Sequence, residues 1–113
     1  HADFLRPKFE ATLKVLDDEL TGLGIGTWSE PRGGYFISFD ALPGCAKAIV
    51  SMCKEAGVVL TNAGATFPYG KDPRDSNIRI APSFPTPEEM SEAAELFVLC
   101  VKLVSVDKLL ESK

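Results

Sequence analysis

Asn77-Ile78-Arg79-Ile80-Ala81 is the stretch on which the reading of the fold turns. Its β-branched residues alternate with polar or small ones. That period of two makes it a strand with Ile78 and Ile80 on one face and Asn77, Arg79 and Ala81 on the other. A long helix follows. Thr86 stands as its N-cap, Pro87 occupies the first helical position, and Glu89 completes a Thr-x-x-Glu capping box. Met90, Ala94, Phe97, Val101 and Val104 then recur at helical spacing, widened by Ala93, Cys100 and Leu103, and the pattern ends near Leu110.

Upstream of that strand, Asn62 to Ser76 is rich in Gly, Pro and Asp and has no period, so it reads as a long loop of a kind often tied to function. Val58-Val59-Leu60-Thr61 reads as a short strand before it, and Gly57 as the stop of a helix running from about Gly44 to Ala56. Cys45, Ala48, Ile49, Met52, Cys53 and Ala56 make the expected buried stripe of that helix. Tyr35 to Phe39 has strand composition, with Tyr35, Ile37 and Phe39 on one face and Phe36 and Ser38 on the other. Trp28 to Gly34 reads as a turn, and Gly22, Gly24 and Gly26 as a flexible link. A first helix runs from Asp3 to about Thr21, with Phe9, Leu13, Leu16 and Leu20 as its apolar stripe. The expected order is α-β-α-β-β-α: an α+β domain with a small sheet of about three strands packed by helices.

The chain has 113 residues, enough for one small domain over 1–113, and an apolar fraction of 45%, enough for a core. Its net charge of −4, with scattered basic residues, argues against nucleic acid as a partner. No run of about 18 apolar residues occurs, so no transmembrane helix is expected. The start has neither the charged nor the apolar region of a signal peptide, and His1 reads as a cloning scar or a cut point within a longer chain. Cys45, Cys53 and Cys100 form no Cys-x-x-Cys pair and are expected as reduced core thiols of a cytoplasmic protein. With one histidine, no zinc or other metal site is expected.

Catalytic constellations are missing from the sequence. There is no nucleophile elbow, P-loop or dinucleotide fingerprint. Glu88-Glu89 suits helix capping, and Asp17-Asp18 a solvated helix face. Two features remain. Arg79 on a rigid strand is either an ordinary surface or salt-bridged arginine or a bidentate carboxylate ligand. The loop Asn62-Ala63-Gly64-Ala65-Thr66-Phe67-Pro68-Tyr69-Gly70 is either packed by its own aromatics or lines a pocket or subunit contact.

The ordered set Pro31-x-Gly33-Gly34-Tyr35-Phe36, Gly44, Gly57-Val58-Val59-Leu60, Ala63-Gly64-Ala65-Thr66-Phe67 and Asn77-Ile78-Arg79-Ile80 resembles the C-terminal small domain of fold-type I aminotransferases. In that family the order is Pro-x-Gly-Gly-Phe, helix, Gly-Val-x-Val, Pro-Gly-x-x-Phe, then Ile-Arg-Leu and a closing helix. The match runs from about Phe4 to Leu110. Leu5-Arg6-Pro7-Lys8-Phe9, Leu60-Thr61-x-Ala63-Gly64-Ala65-Thr66-Phe67-Pro68-Tyr69-Gly70-Lys71-Asp72-Pro73 and Ile78-Arg79-Ile80-Ala81-Pro82-x-Phe84-Pro85 are similar to a bacterial aspartate aminotransferase subgroup. One departure is Asn62, where many relatives carry Pro before the glycine, with Ala63 inserted.

The resemblance implies that Arg79 binds a substrate α-carboxylate. It also implies that Gly34, Tyr35, Asn62, Ala63 and Gly64 are candidate active-site lining. Transamination between an amino acid and a 2-oxo acid is the implied reaction, with aspartate the suggested donor. Pyridoxal phosphate belongs to the full-length enzyme and is held by a lysine of a larger domain. This fragment is expected to bind no cofactor, to carry no catalytic group and to be inactive alone. Lys8, Lys47 and Lys54 match no Schiff-base motif and read as surface residues. The implied partners are the chain's own large domain and a second subunit of a homodimer. Two other readings are an effector-binding domain of an aminotransferase-like transcription regulator and a stand-alone ligand-binding or interaction domain.

Overall fold

The structure, a computed structural model, describes residues 2–30, 36–58, 74–81 and 86–111. Helix α1 (Ala2–Leu20) leads into a three-stranded antiparallel sheet of order β1-β2-β3, formed by β1 (Gly26–Ser29), β2 (Ile37–Ala41) and β3 (Asn77–Ile80). Helix α2 (Ala46–Glu55) lies between β2 and β3 in sequence, and α3 (Pro87–Glu111) closes the chain. This is the α+β class expected, a small sheet packed by helices.

The described order is α-β-β-α-β-α. Gly26 to Ser29, expected as link and turn, form a strand. Of the strand expected over Val58–Thr61, only Val58 lies within the described residues, and it has no regular structure.

The reason for β1 is its partner. Gly26↔Ala41, Thr27↔Asp40, Trp28↔Phe39 and Ser29↔Ser38 pair in register. The indole of Trp28 stacks on Phe39, with ring centroids 6.1 Å apart and planes 8° apart. Gly26 lies over the same ring: a Cβ there would sit 2.4 Å from Phe39 Cζ. Glycine is therefore required by the close approach of backbone to ring, not by flexibility. Phe39 in turn meets Phe97 of α3 edge to face, centroids 5.1 Å apart. The core is built around this stack. Ile37, Phe39, Ile78 and Ile80 of the sheet, Leu16 and Leu20 of α1, Ile49 of α2 and Met90, Phe97 and Val101 of α3 are all buried.

Two helix ends follow their sequence signals. The Glu89 amide donates to Thr86 Oγ1 at 3.1 Å, the N-cap bond that opens α3. Gly57 has φ of +91°, its amide donates to Lys54 O, and the Val58 amide donates to Cys53 O. That pair of bonds is a Schellman closure. The start of α2 is set from outside. Asp75, itself at φ +49°, accepts the Ala46 amide on its carbonyl and the Lys47 amide on its carboxylate. This external cap places the first helical residue at Ala46 rather than Gly44.

Several expected faces are narrower or turned. On α1, Thr12 and Val15 are buried and Leu13 only half-buried. Thr12 satisfies its hydroxyl by donating to Lys8 O at 3.0 Å. On α2 Ala48 is exposed, as is Ala56 just past its end, and on α3 so is Leu103, because each helix meets its neighbours on one side only. Asp17 is not merely solvated: it accepts the Trp28 indole N–H at 2.8 Å and ties α1 to β1. Asp18 pairs with Lys14.

Candidate carboxylate-binding site

Strand alternation splits the β2–β3 pair into two faces. Ile37, Phe39, Ile78 and Ile80 point into the core. Ser38, Asp40, Asn77 and Arg79 share the opposite face, where Ser38 lies across from Arg79 and Asp40 across from Asn77. Phe36, one residue before β2, belongs to that same face.

On this face Arg79 is half-buried, and its Cζ sits 3.9 Å from the centroid of the Phe36 ring. A guanidinium in contact with an aromatic face is shielded on that side, while its N–H donors radiate in its own plane. Arg79 Nε is buried and has no hydrogen-bond partner. Arg79 takes no part in the ion pairs Arg6–Glu30, Lys14–Asp18 and Lys102–Glu19 seen among the described residues. A buried N–H donor without a partner costs free energy unless an acceptor is bound there.

Asn77 organises the rest of the face. Its Nδ2 donates to Ser38 Oγ and to Asp40 Oδ1, both at 3.0 Å. These bonds clamp β3 to β2 beside the arginine. Alternation put Phe36 with Ser38 and Asn77 with Arg79 in the sequence. The strand register that brings the two pairs together carried no local signal.

Gly34, Tyr35, Asn62, Ala63 and Gly64 lie outside the described residues. The described lysines, Lys8, Lys14, Lys47, Lys54, Lys102 and Lys108, all stand on helices, and none is on the sheet with Arg79. Among the described residues, therefore, no amine on this face fits the attachment of an aldehyde cofactor such as pyridoxal phosphate. An open cleft of about 530 Å³ lies at the β1 end, lined by Leu20, Thr21, Gly22, Gly24, Gly26, Thr27 and Trp28. It contains no charged side chain and lies at the sheet edge away from β3.

The three cysteines are free and buried. Burial pushes the Cys45 thiol above its usual pKa. Burial, with a hydrogen bond to Cys100, pushes Cys53 up to about 12. Both effects hold the thiols neutral and poorly nucleophilic.

Comparison with known proteins gives a consistent result. The family model described as aspartate amino-transferase matches residues 1–113. An aspartate aminotransferase of Corynebacterium glutamicum is 43% identical over 107 residues, covering 95% of this chain and 25% of the relative. The crystal structure of an aspartate transaminase from the same species superposes with a TM-score of 0.88 at 42% identity, covering 96% of this chain and 26% of that one. LysN of Thermus thermophilus, an α-aminoadipate aminotransferase, shares the fold with a TM-score of 0.75 at 20% identity, covering 92% of this chain and 26% of its own. The chain spans about a quarter of the length of the curated relatives it matches.

Proposed function

Since the chain belongs to the aspartate aminotransferase family, we propose that it is the C-terminal small domain of a pyridoxal-phosphate-dependent aminotransferase in which Arg79 binds the substrate α-carboxylate. The observation that carries this reading is the unpartnered Arg79. Its Nε is buried without a hydrogen bond, it has no ion-pair partner among the described residues, and a rigid strand holds it. A carboxylate offers two coplanar acceptors matched to the guanidinium donors.

Pyridoxal phosphate supplies the electron sink for amino-group exchange between an amino acid and a 2-oxo acid. It is held by the part of the protein outside this chain. This chain binds and orients the substrate's α-carboxylate, and the ion pair formed there favours closure of the small domain and exclusion of water. The family name and the relative's activity point to aspartate as a donor. We place the whole enzyme in the cytoplasm as a homodimer. Leu99, Leu103, Val106 and Leu110 recur at helical spacing on α3 and remain exposed, which fits burial against the large domain or the second subunit.

The test is Arg79→Ala in the full-length enzyme. We expect kcat/KM to fall by the equivalent of about 2–5 kcal/mol, with KM strongly raised. An unchanged kcat/KM would remove Arg79 from substrate binding. The 113-residue chain alone is expected to show neither turnover nor cofactor absorbance.

A further inference from the structure

Arg79 has two neighbours at opposite diagonals of its own sheet face. With Ser38 across from it, Phe36 lies two residues to one side along the partner strand and Asp40 two residues to the other. Diagonal positions stand roughly 7–8 Å apart, within reach of a long side chain. Asp40 is an exposed carboxylate, and a carboxylate is the group an arginine is built to pair with. Yet Arg79 lies over the Phe36 ring, and the carboxylate of Asp40 accepts from Asn77 Nδ2 instead.

We propose that Asp40 is an internal rival for Arg79, and that Phe36 and Asn77 are positioning residues that keep the two apart, leaving the guanidinium open to an external carboxylate. This rests on the reading of Arg79 as the carboxylate ligand. Phe36 draws the guanidinium to one diagonal by cation–π contact. Asn77 occupies the competing carboxylate on the other and anchors it to Ser38. Without either restraint, the arginine swings to Asp40 and an incoming substrate must displace an intramolecular partner. An affinity is reduced by the fraction of the protein in the competent state, so the penalty appears in substrate binding and not in the later chemical step.

The experiment uses the full-length enzyme. Phe36→Leu and Asn77→Ala are each made with and without Asp40→Asn, and Arg79→Ala serves as reference. Steady-state KM and kcat are measured, together with the Kd of succinate, an unreactive dicarboxylate, by calorimetry. Phe36→Leu and Asn77→Ala are each expected to raise KM and the succinate Kd about three- to tenfold, with kcat nearly unchanged. Adding Asp40→Asn removes the rival charge, in the Phe36→Leu background while keeping an oxygen that can accept from Asn77, and is expected to restore both constants. A purely structural role would show no such rescue, so losses that persist in the Asp40→Asn background overturn the proposal. So does an unchanged KM in Phe36→Leu while Arg79→Ala is severely impaired. If Arg79→Ala itself binds succinate and turns over normally, the carboxylate reading fails and takes this inference with it. Where Asn77→Ala does not fold, the Phe36→Leu pair decides alone.

Discussion

The two faces of the β2–β3 pair are made by alternate residues of the same few strand positions, yet they follow different physics. The inner face is Ile37, Phe39, Ile78 and Ile80, each 1% exposed or less. The outer face is Ser38, Asp40, Asn77 and Arg79, with Phe36 beside them. On the inner face every contact is apolar and packed. On the outer face polar groups bond sideways to one another and, among the described residues, leave Arg79 without an ion pair. Apolar burial is concentrated on one side and, in the function proposed, recognition falls to the other. A rigid strand pair can therefore hold Arg79, which has no ion-pair partner among the described residues, in place, because the burial behind it offsets the cost.

The strongest way to break this division is to strike the inner face. Phe39 is fully buried between Trp28, Phe97 and the Gly26 backbone. Phe39→Ala is expected to destabilise the fold by about 3–5 kcal/mol, read as a lowered midpoint in urea denaturation. Arg79→Ala should leave that midpoint nearly unmoved while abolishing carboxylate binding. A large loss of stability from Arg79→Ala would contradict the separation of roles.

Gly26→Ala is a gentler probe of the same face. The added methyl meets Phe39 Cζ at 2.4 Å, so the ring or β1 must shift. A cost of about 1–3 kcal/mol is expected. A neutral result would show that β1 can lift away from the ring without disturbing the core.

Much of this arrangement was legible in the sequence where one element sufficed to read it. The period of α3 and its Thr86 cap, the Gly57 stop and the alternation around Arg79 are local signals, and they appear in the structure as such. β1 was hidden because Gly22, Gly24 and Gly26 imitate a link. Only the aromatic ring beneath Gly26 explains that glycine, and the ring comes from another strand. The start of α2 was misplaced for the same reason, since its cap is Asp75, a residue distant in sequence. Helical period likewise gave the direction of the α2 and α3 stripes but not their width, so Ala48, Ala56 and Leu103 were drawn inward. Arg79 stood out by its motif, whereas the contacts of Asn77 and Asp40 depend on register, which no local pattern encodes.

The smallest effect near neutral pH should come from the thiols behind the core. Cys53 has its pKa pushed up to about 12 by burial and by its hydrogen bond to Cys100, against 9.0 for an ordinary thiol. A raised folded-state pKa means that the unfolded chain loses its proton first. The neutral thiol's contribution to stability is then fully present below about pH 9 and declines as the pH climbs toward 12. Urea midpoints should thus be indifferent to this group between pH 6 and pH 8, roughly speaking, and fall above it. Cys53→Ala should flatten the alkaline decline while lowering the midpoint at neutral pH through the lost packing. An alkaline decline of undiminished slope in Cys53→Ala would locate the titrating groups elsewhere.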